Sequence, residues 1–536
     1  MVILGNPPYS ANSANQHIKW ITDLIEDYKQ INGVKIKETQ IRAIQDDYIK
    51  FIRFAHWKIK KTGEGIIGLI TNNSYLSGLI HRAMRWNLQK DFNSIYILNL
   101  HGNSLIKETA PDGSIDQNIF DIRVGVSIVL FIKNKNLNKE CKCNIYYADL
   151  FGKRENKLKF LDNNNIFTHQ FELLNPVEPY FFFVKKDFSA KRVYDKFIPI
   201  KNIFKISQVG VVTGRDNFVI DFNRKSLSSK IKQFLDKSLS DEIISDKFKL
   251  KETSSFKISK ARDTKFDEEN IKPYSYRPFD NRYIYYDNRF VDRWGGRGML
   301  NMIQENVGLV LCRQVRVGIN QHFFITQQIV DYSFNSNISS EGSYLFPLYL
   351  YSEDPKSKHK QKVPNLKPEY LKKVKQKLGK VPSPEEIIAY IYAVLYNPNY
   401  REKYLEFLKI DFPRIPLPNK KTFADLVEIG QKLIDLHCFS SKIEDGSCKF
   451  EVIGNNIISK GYPKFKNNRV YINKLQYFEP IAPEEYNFQI GGFKPMEKWL
   501  KDRKGRALNA DDLFHYMKMH KAIKETISLM EELKKF

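Results

Sequence analysis

The sequence predicts an α/β chain: a sheet of parallel type comes first, and α+β regions follow. Three observations carry this. Short apolar runs, Val2-Ile3-Leu4-Gly5, Ile66-Ile-Gly-Leu-Ile70 and Ile95-Tyr-Ile-Leu-Asn-Leu100, each stop abruptly at polar or turn residues, the pattern of buried strands. Stretches of helical period lie between them. Beyond about Asn144 the chain becomes rich in aromatic and β-branched residues. Ligands of open α/β sheets bind past the carboxyl ends of the strands, so the residues closing each apolar run are the first place to look for chemistry.

The first run reads as a buried strand and is closed by Asn6-Pro7-Pro8-Tyr9. Pro7 and Pro8 fix two φ angles and carry no amide donors, so the Asn6 and Pro7 carbonyls are held stiffly. Asn6 adds a side-chain carbonyl acceptor. Tyr9 offers a flat ring on which a base can stack, worth about 1–3 kcal/mol. Two acceptors can bind the two hydrogens of an exocyclic amino group and stabilise the positive charge that develops as its nitrogen attacks an electrophile. The bland alternative is a plain proline-rich loop.

The elements follow in order. Gln16 to Lys61 is helical in pattern, with Asp47 to Trp57 a strongly amphipathic helix suited to packing on the sheet and Gly63-Glu-Gly65 closing it. The second strand, Ile66–Ile70, ends in Thr71-Asn-Asn-Ser-Tyr75. Leu79 to Gln89 reads as a helix, and Ile95–Leu100 as the third strand. Phe120 to Lys133 reads as a turn leading into a long apolar strand. Further on, Phe181-Phe-Phe-Val184 and Tyr283-Ile-Tyr-Tyr286 are strand-like. Lys205 to Asp216 reads as a strand and a glycine-rich turn carrying Arg215, without the spacing of a Walker loop. Ten lysines between Lys356 and Lys380 face a single Glu369, which reads as a surface linker, phosphate-facing or merely solvated. Ser383-Pro-Glu-Glu386 starts a helix with a capping box and a first-turn proline. Tyr400 to Leu408 reads as another helix, Val470-Tyr-Ile472 as a strand and Asp511 to Leu533 as a terminal helical run.

Composition narrows the classes. The 536 residues suffice for two to four domains, and 42% hydrophobic content is that of a globular chain. No apolar run approaches the ~20 residues of a membrane span, and the start has no signal-peptide pattern. Five scattered cysteines make neither a disulfide framework nor a zinc site: Cys141-Lys-Cys143 lacks a second pair. The simple expectation is a cytoplasmic location. The net charge of +25 points to a polyanionic partner, because neutralised phosphates release counterions. The alternative is that the lysine excess partly reflects an A·T-rich genome, since Lys, Asn, Ile and Tyr are all abundant.

The strand followed by Asn-Pro-Pro-Tyr looks like the catalytic motif of amino-methylating DNA methyltransferases that use S-adenosylmethionine. The succession through Gly65-Ile-Ile-Gly-Leu-Ile-Thr-Asn-Asn-Ser-Tyr-Leu76 to Phe120-Asp-Ile-Arg-Val-Gly-Val-Ser-Ile128 is similar to the back half of that adenine methyltransferase fold. The resemblance implies catalytic Asn6, Pro7, Pro8 and Tyr9, with Tyr9 and Phe120 sandwiching a target base flipped out of its duplex. A core phenylalanine at a strand entry is the rival reading of Phe120. The family's glycine-rich cofactor turn normally precedes Asn-Pro-Pro-Tyr, and only five residues do so here. Phe488-Gln-Ile-Gly-Gly492 has glycines but no strand leading into it. The expectation is half a catalytic domain, with the cofactor-binding half on a separate chain or lost by truncation, and the cofactor-binding residues unknown.

Tyr274-Ser-Tyr-Arg-Pro-Phe-Asp-Asn-Arg282 and Arg289-Phe-Val-Asp-Arg-Trp-Gly-Gly-Arg297 interleave arginines with aromatics, a mixture suited to phosphate and base-edge contact. Arg215, Arg277, Arg282, Arg289, Arg293 and Arg297 are therefore candidate DNA ligands. Asp280 and Asp292 lie among them, so buried structural ion pairs are an equal rival. These segments, with Phe346-Pro-Leu-Tyr-Leu350, the stretch from Tyr390 to Pro416, Tyr477-Phe-Glu-Pro480 and Trp499-Leu-Lys-Asp-Arg-Lys-Gly-Arg506, resemble the methyltransferase and specificity end of Type ISP restriction-modification enzymes. That resemblance implies a partial Rossmann-like methyltransferase sheet followed by α+β target-recognition domains. It divides the chain into residues 1–140 (catalytic half), 141–355 (β-rich target recognition) and 356–536 (helical and mixed specificity region). It implies site-specific N6-methylation of adenine in double-stranded DNA with S-adenosylmethionine, no metal and no membrane; the nuclease and helicase parts are missing. A non-catalytic DNA specificity module and an RNA-directed methyltransferase remain alternatives.

Overall fold

The structure is a computed structural model. It describes residues 1–9, 17–38, 41–106, 108–135, 142–315, 321–338, 341–351, 361–440 and 448–536, apart from the Arg297 side chain. By packing, the chain separates into two compact units, Met1–Asp187 and Phe188–Phe536. The fold is mixed α/β with several sheets.

The first unit contains β1 (Val2–Gly5), α1 (Lys19–Ile25), α2 (Asp47–Thr62), β2 (Gly65–Asn72), α3 (Arg82–Asp91), β3 (Ser94–His101), β4 (Val126–Lys133), β5 (Asn144–Asp149), α4 (Arg154–Asn163) and β6 (Glu172–Leu174). The six strands form one sheet in the order β1-β2-β4-β3-β5-β6. β1 and β2 run parallel, as do β3 and β5, whereas β4 is antiparallel to both β2 and β3, and β6 is antiparallel to β5. The sheet is therefore mixed rather than purely parallel. Its consequence for function is that β1, β2, β3 and β5 all end on the same side.

α2 shows why these residues fold as they do. The Asp46 carboxylate accepts from the Tyr48 N–H at the start, and Gly63 (φ 89°) closes the helix by donating its N–H to the Ile59 carbonyl at 2.9 Å, the left-handed cap that glycine favours. Tyr48, Ile49, Ile52, Ala55 and Ile59 share one buried face at the i, i+3, i+4 spacing of a helix. They join Ile67, Leu69, Ile95, Ile97, Val129 and Phe131 of the sheet in one core. Each fully buried aliphatic side chain there stabilises the unit by about 1.5–3 kcal/mol.

Two expectations are corrected here. β1 is an edge strand and not a buried one: Val2 is 66% and Leu4 75% exposed. Four residues ending in a turn signal a strand, but no local signal says whether a neighbour lies on its second side. Phe181–Val184 is not a strand. Phe181 has a left-handed φ of 50°, and this segment is pinned by the buried Arg85, whose guanidinium donates to the Tyr75, Gly78, Tyr180 and Phe181 carbonyls. Its burial comes from that strap, not from a ladder. The sheet also runs past residue 140, since β5 pairs with β3 over Asn144–Asp149.

The second unit has two four-stranded sheets. One orders Gln208–Val209, Ser343–Pro347, Gly308–Cys312 and Phe323–Thr326; the other orders Ile220–Asp221, Asp280–Tyr285, Ile271–Arg277 and Ile329–Val330. Helices Pro384–Tyr396 and Phe423–His437 pack against each other so tightly that a Cβ on Gly430 would meet the Ala389 carbonyl oxygen at 1.9 Å, which only glycine permits. The capping box at Ser383 is present: its hydroxyl accepts from the Glu386 N–H, and Glu386 accepts from the Ser383 N–H. The terminal helix spans Ala510–Leu533. Tyr400 to Leu408 breaks into two short helices at Tyr404.

The lysine-rich stretch is not a linker where it is described. Residues 352–360 lie outside the described residues, but Pro368–Leu378 is a helix whose Tyr370, Val374 and Leu378 are buried. Three residues at i, i+4, i+8 suffice to dock a helix, and lysines on the other faces hid that stripe from a reading by charge. Its core also holds Phe346, Leu348 and Leu366, from both sides of residue 355.

Candidate functional site

The ends of β1, β2, β3 and β5 carry a row of polar side chains. Gly5 lies opposite Leu69 in the sheet register, which places Asn6-Pro7-Pro8-Tyr9 beside the end of β2. Pro7 is buried, Asn6 and Pro8 are exposed and Tyr9 is half-buried. The Tyr9 hydroxyl donates toward Asn6 Oδ1 at 3.3 Å and the Ile70 carbonyl at 3.4 Å. Its ring meets Tyr48 edge-on, with centroids 6.3 Å apart. Burial pushes the Tyr9 phenol up to about 12, so it is neutral at physiological pH and acts as a donor and a flat face, not as a base. Phe120 is half-buried. Tyr9 and Phe120 pack against the same small cluster of Leu100, Ile119 and Val126. The structure thus brings Asn6, Pro7, Tyr9 and Phe120 to one end of one sheet.

The polar row continues inward. Asn73 donates to Asn99 Oδ1 at 2.9 Å, and Asn99 donates to the Tyr147 hydroxyl at 3.0 Å. Tyr147 donates to Asp149. His101, in left-handed backbone (φ 53°), bonds Glu108 through Nδ1 and Asp149 through Nε2, each at 2.8 Å, and Phe151 stacks on its ring. Burial pulls the imidazolium down, but the Asp149 and Glu108 hydrogen bonds outweigh it and raise its pKa above the ordinary value. Asp116 receives the Gly102 N–H at 2.6 Å and the Gly152 N–H at 2.7 Å, and pairs with the fully buried Lys157 at 2.8 Å. Sequence reading missed this cluster. The only local signal was Asn99-Leu-His101 at a strand's carboxyl end; the partners come from segments with no fixed spacing to it.

The candidate arginines divide sharply. Arg215 is buried, pairs with Asp292 at 2.6 Å, donates to the Thr213 and Phe290 carbonyls and lies over the Phe256 ring. The glycine turn before it serves this packing: a Cβ on Gly214 (φ 69°) would meet Asp292 Oδ2 at 2.2 Å. Arg277 is buried against Asp331 at 2.8 Å. Arg282 bonds Asp280 at 2.6 Å and Asp502 at 3.0 Å, sandwiched between Tyr276 and Phe222. Arg503 completes this cluster, bonding Asp280 at 2.9 Å and stacking on Trp499. A guanidinium held in this way has no face left for a phosphate, so at these three positions the rival reading of internal ion pairs prevails. Arg289 and Arg293 differ. Arg289 pairs with Asp287 but is half exposed, and Arg293 is exposed, over the Tyr332 ring. The Arg297 side chain lies outside the described residues, as does Cys141.

Phe488–Gly492 does not have the geometry of a cofactor turn. Gly491 donates to the Gln321 carbonyl and Gly492 to the Asn335 carbonyl, and a Cβ on Gly491 would meet Asn335 O at 1.9 Å. These glycines allow one backbone to pass close to another. Among the described residues, no group of three or more His, Cys, Asp or Glu side chains could hold a metal ion. No helix among them is long and apolar enough to cross a membrane.

Fold and site together define a mixed α/β protein in which a sheet with an Asn-Pro-Pro-Tyr corner is joined to a larger, separately packed unit. Residues 202–532, most of that larger unit, match the profile of the Type ISP C-terminal specificity domain, and the chain belongs to this family. Solved structures agree in fold. The chain is similar to the ATP-dependent Type ISP restriction-modification enzyme LlaBIII bound to DNA (TM-score 0.77, 23% identity, 99% of this chain and 38% of that one). It is also similar to the DrdV–DNA complex (TM-score 0.77, 22% identity, 99% and 56%) and to a nuclease-deletion mutant of the Type ISP enzyme LlaGI with a DNA substrate mimic (TM-score 0.71, 22% identity, 99% and 44%). The chain spans 38–56% of the length of these proteins. No curated protein matches it in sequence.

Proposed function

We propose that this chain is the base-presenting and sequence-reading part of a site-specific DNA adenine-N6 methyltransferase of a restriction-modification system. On this reading, the unit Met1–Asp187 holds the target-base half of a Rossmann-like methyltransferase domain and the unit Phe188–Phe536 reads sequence. The observation that carries it is the convergence of Asn6, Pro7, Tyr9 and Phe120 at the carboxyl end of one sheet, with Tyr9 and Phe120 on a common apolar cluster. The likeness to three DNA-bound structures supports double-stranded DNA as the partner.

This chain's residues would act on the adenine alone. Asn6 Oδ1 and the Pro7 carbonyl accept the two amino hydrogens and favour the cationic nitrogen that forms as it attacks. The prolines keep the Pro7 carbonyl stiff, and the Tyr9 hydroxyl at 3.3 Å orients Asn6 Oδ1, so little reorganisation is needed. Tyr9 and Phe120 hold the flipped base between their faces, worth about 1–3 kcal/mol per stacked ring. The methyl donor in this reading is S-adenosylmethionine, and no described residue is assigned to holding it.

A second reading is a non-catalytic DNA specificity module, favoured by the lack of a fitting cofactor turn among the described residues. A duplex library with S-adenosylmethionine separates the two. Transfer that yields N6-methyladenine at one sequence, lost in Asn6→Ala while duplex binding stays, supports the first. Sequence-selective binding with no transfer, even after addition of the cofactor-binding half from a Type ISP enzyme, selects the second. Transfer that survives Asn6→Ala refutes the assigned acceptor, and a preference for RNA over duplex DNA refutes the substrate.

A further inference from the structure

The segment from Gly102 to Gly125 leaves the end of β3, at the same end of the sheet as Asn6–Tyr9, and carries Phe120. It is braced at its root. Asp116 ties Gly102, Gly152 and the buried Lys157 together. His101 holds Glu108. Asn118 donates to the Gly102 carbonyl at 3.1 Å and to the Val124 carbonyl. Beyond this root, Thr109 to Ile115 forms a small hairpin: Thr109 bridges Ile115, the Ala110 N–H donates to the Ser114 carbonyl, and Asp112-Gly113 makes the turn with Gly113 at φ 82°.

This braced loop presents two aliphatic side chains to solvent, Ile115 at 75% exposure and Leu105 at 51%. Exposing them is unfavourable for a free surface. The same end of the sheet carries exposed cations: Arg123, whose carbonyl accepts from the Ser104 hydroxyl, and Lys153 at the start of α4. The acids Glu108 and Asp116 point inward onto His101 and Lys157, and Asp121 is paired with Arg154. The exposed Asp112 is engaged in the turn, accepting from the Ser114 N–H.

We propose that Ile115 and Leu105 are a duplex-opening wedge: they enter the base stack beside the target and fill the space vacated when the adenine rotates toward Tyr9 and Phe120. Apolar side chains inserted between base steps are a general means of holding a duplex open. Filling the gap offsets part of the unstacking cost that flipping incurs. The inference rests on the base-flipping reading above, and names how that site gains access to its base.

The test uses the full chain, a duplex recovered from the random library, and 2-aminopurine in place of the adenine. The unsubstituted chain brightens 2-aminopurine on binding. The Ile115→Ala/Leu105→Ala double variant, which should fold normally because both side chains are exposed, binds the paired duplex about tenfold more weakly, the scale of one buried aliphatic group. It brightens the probe less, and regains affinity within about twofold on a duplex whose target is mispaired and so easier to extrude. Equal loss on both duplexes, or no loss on either, overturns the wedge while leaving the flipping reading in place. If the unsubstituted chain binds without brightening the probe at any adenine, both fall together.

Discussion

The prediction with the most structural support concerns Asp280. Its carboxylate is buried and held well below the usual carboxylate range: burial opposes ionisation, and the Arg503 and Arg282 guanidiniums overcome it. Substitution by Ala leaves Arg503 with just the longer contact to Asp512 at 3.8 Å, and leaves Arg282 with Asp502, among the described residues. Breaking a buried pair from one side costs about 3–5 kcal/mol, because a desolvated charge is left behind. Unfolding entropy of about 2.1 cal/mol/K per residue gives the unit from Phe188 to Phe536 roughly 0.7 kcal/mol/K, so Asp280→Ala should lower Tm by about 4–7 °C. Calorimetry measures this. Asp280→Asn keeps the shape and should lose most of the same stability, because charge is what the arginines need. The variant also decides the role of the arginines. If Arg282 is a strut, removing its partner lowers Tm and leaves the salt dependence of duplex binding unchanged. If Arg282 is a phosphate ligand, freeing it steepens the slope of log K against log salt by about one. A Tm within 1 °C of the parent, or a steeper salt slope, would refute the reasoning.

Three further outcomes follow from the same geometry. His437 is fully buried between Tyr392 and Thr526, and burial pushes its pKa down to about 3. The folded state therefore binds fewer protons than the unfolded one, so its contribution is present above about pH 6.5 and is lost as pH falls toward 3. The second unit should lose up to ~1.4 kcal/mol per pH unit from this group across that window, visible in denaturant melts. His101 has the opposite sign: its raised pKa stabilises the root of the 102–125 loop below about pH 6.5, and that contribution is lost as pH rises through the folded value. Amide exchange at Gly102 and Glu108 should quicken, beyond the intrinsic rise, in mildly alkaline solution, and His101→Gln should remove the pH dependence. Ser383→Ala removes one side of the capping box and should cost about 1 kcal/mol, measured by urea titration.

The strands Val2–Gly5, Gly65–Asn72, Ser94–His101 and Val126–Lys133 and a few helices were legible because their signals are local. Asp47–Thr62 shows its face in every turn, and Ser383-Pro-Glu-Glu386 announces a helix start in four residues. The Asn-Pro-Pro-Tyr corner was legible for the same reason. What the sequence concealed was pairing between distant positions. Arg282 and Arg503 meet on Asp280 although 221 positions apart, so the aromatic–arginine mixture looked alike for a nucleic-acid surface and for a buried cluster. The ring of His101, Glu108 and Asp149 was hidden likewise. The lysine-rich helix was concealed by its own charge, since Tyr370, Val374 and Leu378 are outnumbered by the lysines around them. The exposure of β1 belongs to a third kind: it depends on which strand stands beside it, which four residues cannot encode.

That exposure has a practical consequence. A sheet margin with valine and leucine exposed, no second neighbouring strand among the described residues, and no lysine, proline or bulge within Val2–Gly5 is a template for further strands. A preparation of this chain alone should self-associate through its first five residues as concentration rises. A charged residue at position 4 is then the simplest way to keep it monomeric for any of the measurements above.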